Sequence, residues 1–145
     1  MIIDYLGIQT ALKAILDADS RTDSYTVEVE PDFDLITDKM PYVAIFLDSW
    51  ETPALDETIG GTKPFRSFLN LEIWCYDFSM ENLVGATLRD TMIGNVKEVI
   101  KENRTISGNV LITTFSGGSF DNQKNNKGIG FFKGVSLKIQ CEVRE

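Results

Sequence analysis

Between residues 130 and 144 the chain alternates without a break. Phe131, Lys133, Val135, Leu137, Ile139, Cys141 and Val143 fall on one parity, and Phe132, Gly134, Ser136, Lys138, Gln140, Glu142 and Arg144 on the other. Successive side chains of a strand point to opposite faces, so this pattern predicts a long strand with one apolar face, broken only by Lys133. One-sided alternation of this kind belongs to an antiparallel sheet. Tyr25, Val27 and Val29 alternate with Thr26, Glu28 and Glu30 in a shorter strand that Pro31 closes. Residues 42–47, YVAIFL, are a continuous apolar run that suits a central strand buried on both faces. Residues 65–76 set Leu69, Leu71, Ile73 and Cys75 against Phe68, Asn70, Glu72, Trp74 and Tyr76. That aromatic second face needs a cover: a helix is expected over Phe68 and Trp74, with a subunit interface as the alternative. Residues 109–115, NVLITTF, form a further strand.

Two stretches carry the helical period instead. Tyr5, Ile8, Leu12 and Ile15 share one side of a helix over residues 2–17. Val84, Leu88, Met92, Val96, Val99 and Ile100 form the stripe of a longer helix over residues 80–103, with Ser79 as its N-cap. The elements predict a single α+β domain over residues 1–145. Two helices pack on a mostly antiparallel sheet of about five strands in the order α-β-β-β-α-β-β, ending in a long β-hairpin.

Two segments fit no element and are expected to be mobile. Residues 48–64, DSWETPALDETIGGTKP, contain two prolines and a Gly-Gly pair, yet hold Trp50, Leu55 and Ile59, which favours a contact arm over a plain linker. Residues 116–130, centred on GGSFDNQKNNKG, look too polar to pack and are expected to be an oversized hairpin tip, so that deleting 119–127 would spare the fold. The candidate contact residues are Trp50, Leu55, Ile59, Phe65, Phe115, Phe120, Asn122, Lys124 and Lys127. The glycines at 117, 118, 128 and 130 precede no helix, so they lack the dipole and the row of N–H groups that a phosphate cradle needs.

Composition narrows the chemistry. The 145 residues are 43% apolar and 25% charged, the globular average, and no run of about 18 apolar residues suggests a membrane span. The first residues carry Asp4 and no basic region, which argues against a secretory signal. A formal charge of −8 argues against affinity built on neutralising phosphates, although an acidic wall can line a conduit for passing DNA. The absence of histidine removes Ser-His-Asp and Cys-His catalysis and most zinc sites. Cys75 and Cys141 fall in strand patterns and are expected to be buried, reduced thiols, with a disulfide between neighbouring strands as the alternative.

Sharper readings of the polar segments fall short. Asp17, Asp19 and Asp23 have acid spacing that suits a calcium loop, but Arg21 stands where a ligand belongs and no glycine follows. Asp32, Asp34 and Asp38 could share a magnesium ion with Glu72 in a nuclease-type site, but Glu72-Ile-Trp74 lacks the lysine of that motif. The expectation is a solvated acidic loop with apolar anchors, no catalytic residues, no metal and no cofactor. Asn103-Arg-Thr105 matches a glycosylation triplet, which carries no meaning without a secretory signal.

Taken together, LGIQTALKAIL, YTVEVE, Met40 to Phe46, LNLEIWCYD followed by SMENL, and the closing LKIQCEVRE resemble the tail terminator, or tail completion, family of long-tailed bacteriophages. The resemblance spans nearly the whole chain and includes no catalytic signature. It implies a structural virion protein, not an enzyme, whose copies form a ring, usually a hexamer, on the last ring of the tail tube. Such a ring ends tube growth and offers a surface for head joining. The implied partners are further copies of itself, the tail-tube protein and the head-tail connector. DNA would be passing cargo, no membrane would be involved, and assembly would take place in the bacterial host cytoplasm. Another connector or tube subunit is the nearest alternative, and a small-ligand-binding domain or a metal-dependent enzyme the more distant ones.

Overall fold

The computed structural model describes residues 3–51 and 66–144. Helix α1 (Tyr5–Ala18) leads into strand β1 (Thr26–Val29), a 3-10 turn (Thr37–Lys39) and β2 (Tyr42–Glu51). After β3 (Arg66–Ser79) come α2 (Asn82–Glu102), β4 (Ile112–Lys124) and β5 (Phe131–Arg144). The five strands form one sheet in the order β1-β2-β3-β5-β4, antiparallel at every step except the parallel pair β1 and β2. This is the expected α+β architecture and element order.

The alternation of the last strand explains why it sits inside the sheet. β5 pairs along its whole length with β3, from Arg66 opposite Arg144 to Ser79 opposite Phe131. Leu69, Leu71, Ile73 and Cys75 therefore share a face with Val135, Leu137, Ile139, Cys141 and Val143, and all are buried. Both helices cover that face: α1 through Ile8, Leu12 and Leu16, and α2 through Met92, Val96, Val99 and Ile100. A register slip of one residue would turn the whole apolar set to solvent, so the pattern itself fixes the pairing. Lys133, the charge that interrupts the apolar face of β5, is also buried, opposite Asp77 of β3. Its stem lies against Gly85 of α2 and its ammonium sits 5.7 Å from the centre of the Phe131 ring.

Gln9 is buried as well, although it lies off the stripe of Tyr5, Ile8, Leu12 and Ile15. Its amide donates to Glu30 Oε1 at 2.8 Å and to the Ile45 carbonyl at 3.1 Å, which satisfies it and ties α1 to the ends of β1 and β2. Arg21 bonds Asp19 at 2.9 Å and reaches Glu102 at the end of α2. Arg21, the residue that counted against a calcium loop here, thus ties the turn to α2.

Five expectations change. The fourth strand begins at Ile112 and continues to Lys124, because β4 stays paired with β5 as far as Lys124 opposite Phe131. Most of the expected tip at 116–130 is therefore strand, the turn spans only 125–130, and residues 119–127 are not a dispensable loop. Polar residues can occupy this stretch because β4 is an edge strand that buries little on either face. The ladder absorbs one irregularity between Phe115 and Gly117, where Gly117 adopts a φ of 143°. Likewise β2 extends through Trp50 to Glu51, so the first residues of the expected arm at 48–64 belong to a strand, and 52–64 lie outside the described residues.

Helix α2 starts at Asn82, with Ser79 serving as a turn residue: its hydroxyl accepts from the Glu81 N–H at 3.1 Å, and the N-cap position is Glu81. The N-terminal part of the predicted stripe is not core, since Val84 and Leu88 are exposed and only the half from Met92 onward is buried. Finally, among the described residues no helix covers the aromatic face. The crossover from β1 to β2 does so, laying Phe33 against Trp74, Tyr76 and Tyr42 with centroids 4.8, 5.3 and 5.6 Å apart. Among the described residues no helix is long and apolar enough to cross a membrane.

Candidate assembly surface

The sheet leaves its two margins unlike each other. On one side β1 pairs with β2 only as far as Val29 opposite Ile45, so the end of β2 projects past it. Trp50 lies on that projection, 64% exposed, opposite Leu69 and beside Tyr5. Asp48 and Glu51 flank it, both exposed and neither held in an ion pair among the described residues.

On the other side β4 is a 13-residue edge whose outer backbone groups meet no strand among the described residues. Between its helix-side face and α2 runs an apolar groove of about 260 Å³, floored by Val135 and Leu137 and walled by Ile93, Phe115 and Phe120. Gly117 and Gly118 also line it. A Cβ at Gly118 would come within 2.6 Å of the Ser136 carbonyl oxygen, so the position tolerates little else. Phe120 is 69% exposed. Two cations rim the groove over its rings: the Arg89 guanidinium lies 5.0 Å from the Phe120 centroid and the Lys97 ammonium 5.9 Å from that of Phe115. Arg89 also pairs with Asp90 at 3.1 Å, whereas Lys97 has no ion pair among the described residues.

Charge follows the same division. Residues 1–51 hold eleven acidic and three basic side chains, and 52–145 hold eleven of each, so the entire net −8 belongs to the first third of the chain. That third builds α1, β1 and β2, the margin that carries Trp50. Residues 109–144 hold five basic and two acidic side chains, so the β4-β5 hairpin is locally positive.

The structure brings some of the expected contact residues together and separates others. Phe115 and Phe120 line one groove, as described. Asn122, Lys124 and Lys127 are exposed toward the end of the hairpin, and the two lysines border a second, more polar groove of about 250 Å³ with Phe33, Asp34 and Leu35. Trp50 stands alone on the opposite margin, and Leu55, Ile59 and Phe65 lie outside the described residues. Sequence reasoning missed the N-terminal half of α2, where Leu83 is 83% exposed and Val84 45%. The signal available was Leu83 itself, an apolar residue just off the stripe next to one on it.

Ionisable groups on the sheet are arranged for structure. Burial pushes the Cys75 thiol up to about 12 and the Cys141 thiol up to about 11, the latter despite a contact with the Thr113 hydroxyl at 3.6 Å. Both are free and buried. Tyr42 is also raised to about 12, first by burial and then by the neighbouring Glu28 carboxylate, although its hydroxyl makes no hydrogen bond of good geometry. Glu28 itself pairs with Lys39 at 3.2 Å. Among the described residues no three acidic or thiol side chains gather so as to hold a metal ion.

No known protein family matches the chain, and no curated protein does. Among solved structures the chain is similar to one in the virion of a native gene transfer agent particle, at 12% identity and a TM-score of 0.42, over 94% of each chain. That is a loose likeness.

Proposed function

We propose that this chain is a structural virion subunit, not an enzyme, and that copies of it close into a ring that caps a phage tail tube and presents a surface for head joining. The observation that carries the reading is the unlikeness of the two margins of one sheet. A cyclic assembly larger than a dimer needs heterologous contacts, in which one surface of a subunit meets a different surface of the next. This chain offers a projecting acidic margin on one side and, on the other, a long edge that meets no strand among the described residues and lies beside an apolar groove. An edge strand of 13 residues with an exposed phenylalanine invites pairing with another chain, and a ring supplies a partner at every edge. The sequence resemblance supports the terminator position, and the acidic N-terminal third suits a ring through which DNA passes without sticking.

Sedimentation of the purified protein tests the assembly, and electron microscopy with tail-tube protein tests the position. The expected result is a closed ring that stops tube growth at one end. A chain that stays monomeric at all concentrations and leaves tube length unchanged overturns the reading. Rings that form without binding tubes would move the subunit elsewhere in the particle.

A further inference from the structure

We infer that the joint between neighbouring copies is a knob and a groove: Trp50 of one copy seats in the apolar groove between α2 and β4 of the next. The inference rests on the assembly reading above and names the surface that it uses.

Trp50 and the groove lie on the same, helix-bearing side of the sheet. Trp50 stands opposite Leu69, whose own partner across β3 and β5 is Cys141, and Cys141 in turn faces Thr113 of β4. The knob is therefore three strand spacings from β4, roughly 14 Å, with the core strands β3 and β5 and their helices between. A copy cannot seat its own tryptophan in its own groove, but it can give on one margin and receive on the other, which is the condition for a ring.

Chemistry matches across the joint. The knob is an exposed indole flanked by Asp48 and Glu51, neither of which has an ion pair among the described residues. The groove is apolar, bounded by phenylalanines, and rimmed by Lys97 and Arg89. An aromatic anchor entering an apolar slot with opposite charges at its rim is the arrangement that concentrates binding energy in a few interface residues. The indole would also gain the two cations already stacked over the groove rings. The occupant is therefore a second copy of this chain, presenting an acidic aromatic projection.

Two sets of variants test it. Trp50→Ala, on an exposed side chain, and Lys97→Glu, at the groove rim, are each expected to raise the concentration at half-assembly by about tenfold or more, with an unchanged melting temperature of the monomer. The variant D48K/E51K should fail likewise. Mixing equal amounts of K97E and D48K/E51K chains should restore assembly, because an acidic groove then meets a basic knob while each wild-type surface meets its wild-type counterpart. Sedimentation of the mixture should show oligomers in which the two chains alternate. If wild type assembles and both W50A and K97E assemble equally well, the joint lies elsewhere while the ring reading stands. Failure of the mixture to recover overturns the charge pairing. A wild-type chain that never self-associates overturns the joint and the ring together.

Discussion

The Tyr76 hydroxyl donates to Asp121 Oδ2 at 2.6 Å, joining β3 to β4 over the top of the strand between them. It can do so because the residue it crosses is Gly134, which is opposite both Tyr76 and Asp121 in the ladder. A Cβ at Gly134 would collide with the Tyr76 ring. Burial, and then the Asp121 carboxylate, holds the phenol protonated far above its usual range.

Gly134→Ala should therefore cost about 2 kcal/mol, the usual scale of overpacking, by lifting the tyrosine off the strand. Asp121→Asn should cost less, about 1 kcal/mol, since an amide oxygen can still accept. Urea unfolding measures both. Equal stability of G134A and wild type would show that the ring does not depend on the bare strand beneath it.

Phe33 replaces the helix that the aromatic face would otherwise need, touching four rings from a loop. Phe33→Ala should cost about 2 kcal/mol, less than a fully buried phenylalanine because the ring is only half-buried. The near-ultraviolet circular dichroism of Trp74 should weaken with it, while the far-ultraviolet spectrum stays.

Asp77 is half-buried next to its own strand end, and burial raises its pKa even though its Oδ1 accepts from the Phe78 N–H at 2.8 Å. A carboxyl whose pKa is raised by folding binds its proton more tightly in the folded state. Its contribution is then most favourable below the unfolded pKa and declines as pH rises through the folded value. Asp77→Asn should accordingly raise the melting temperature at neutral pH, and the advantage should vanish in acid, where wild-type Asp77 is protonated. A melting curve taken at each pH decides it; no gain at neutral pH would mean that the charge is well solvated.

Cys75 faces Val135, whereas Cys141 faces Leu69, so the two thiols sit six residues apart along the same strand pair, roughly 20 Å. They cannot join without breaking the sheet. Both should resist a thiol reagent in the native protein and react fully in denaturant, and a reducing agent should leave the melting temperature unchanged. Fast native labelling of either would mean that β3 and β5 open readily.

The central ladder was legible from residues alone, because period two in two strands, each with one buried face, admits a single register. The helical period likewise made the stripe from Met92 to Ile100 legible, and of the α1 face Ile8 and Leu12, while Gln9 and Leu16 were missed. What misled was polarity: GGSFDNQK reads as loop, yet it is strand, since an edge strand needs only backbone partners on one side and can leave its side chains wet. Val84 and Leu88 misled in the opposite direction, as periodic apolar residues on a helix half that meets the sheet through Gly85 instead and leaves both of them exposed. Of the contact residues, Trp50 and Phe120 could be singled out as apolar residues in polar surroundings. Their placement on opposite margins could not.

Alternation by itself determined which side chains form the core, because the pleat turns a one-dimensional pattern into two faces. Only the tertiary structure decided which strand became the edge, what covered the aromatic face, and that an apolar groove runs between β4 and α2. Those outcomes depend on which elements lie side by side across long stretches of chain, and a local pattern carries no information about its distant neighbours.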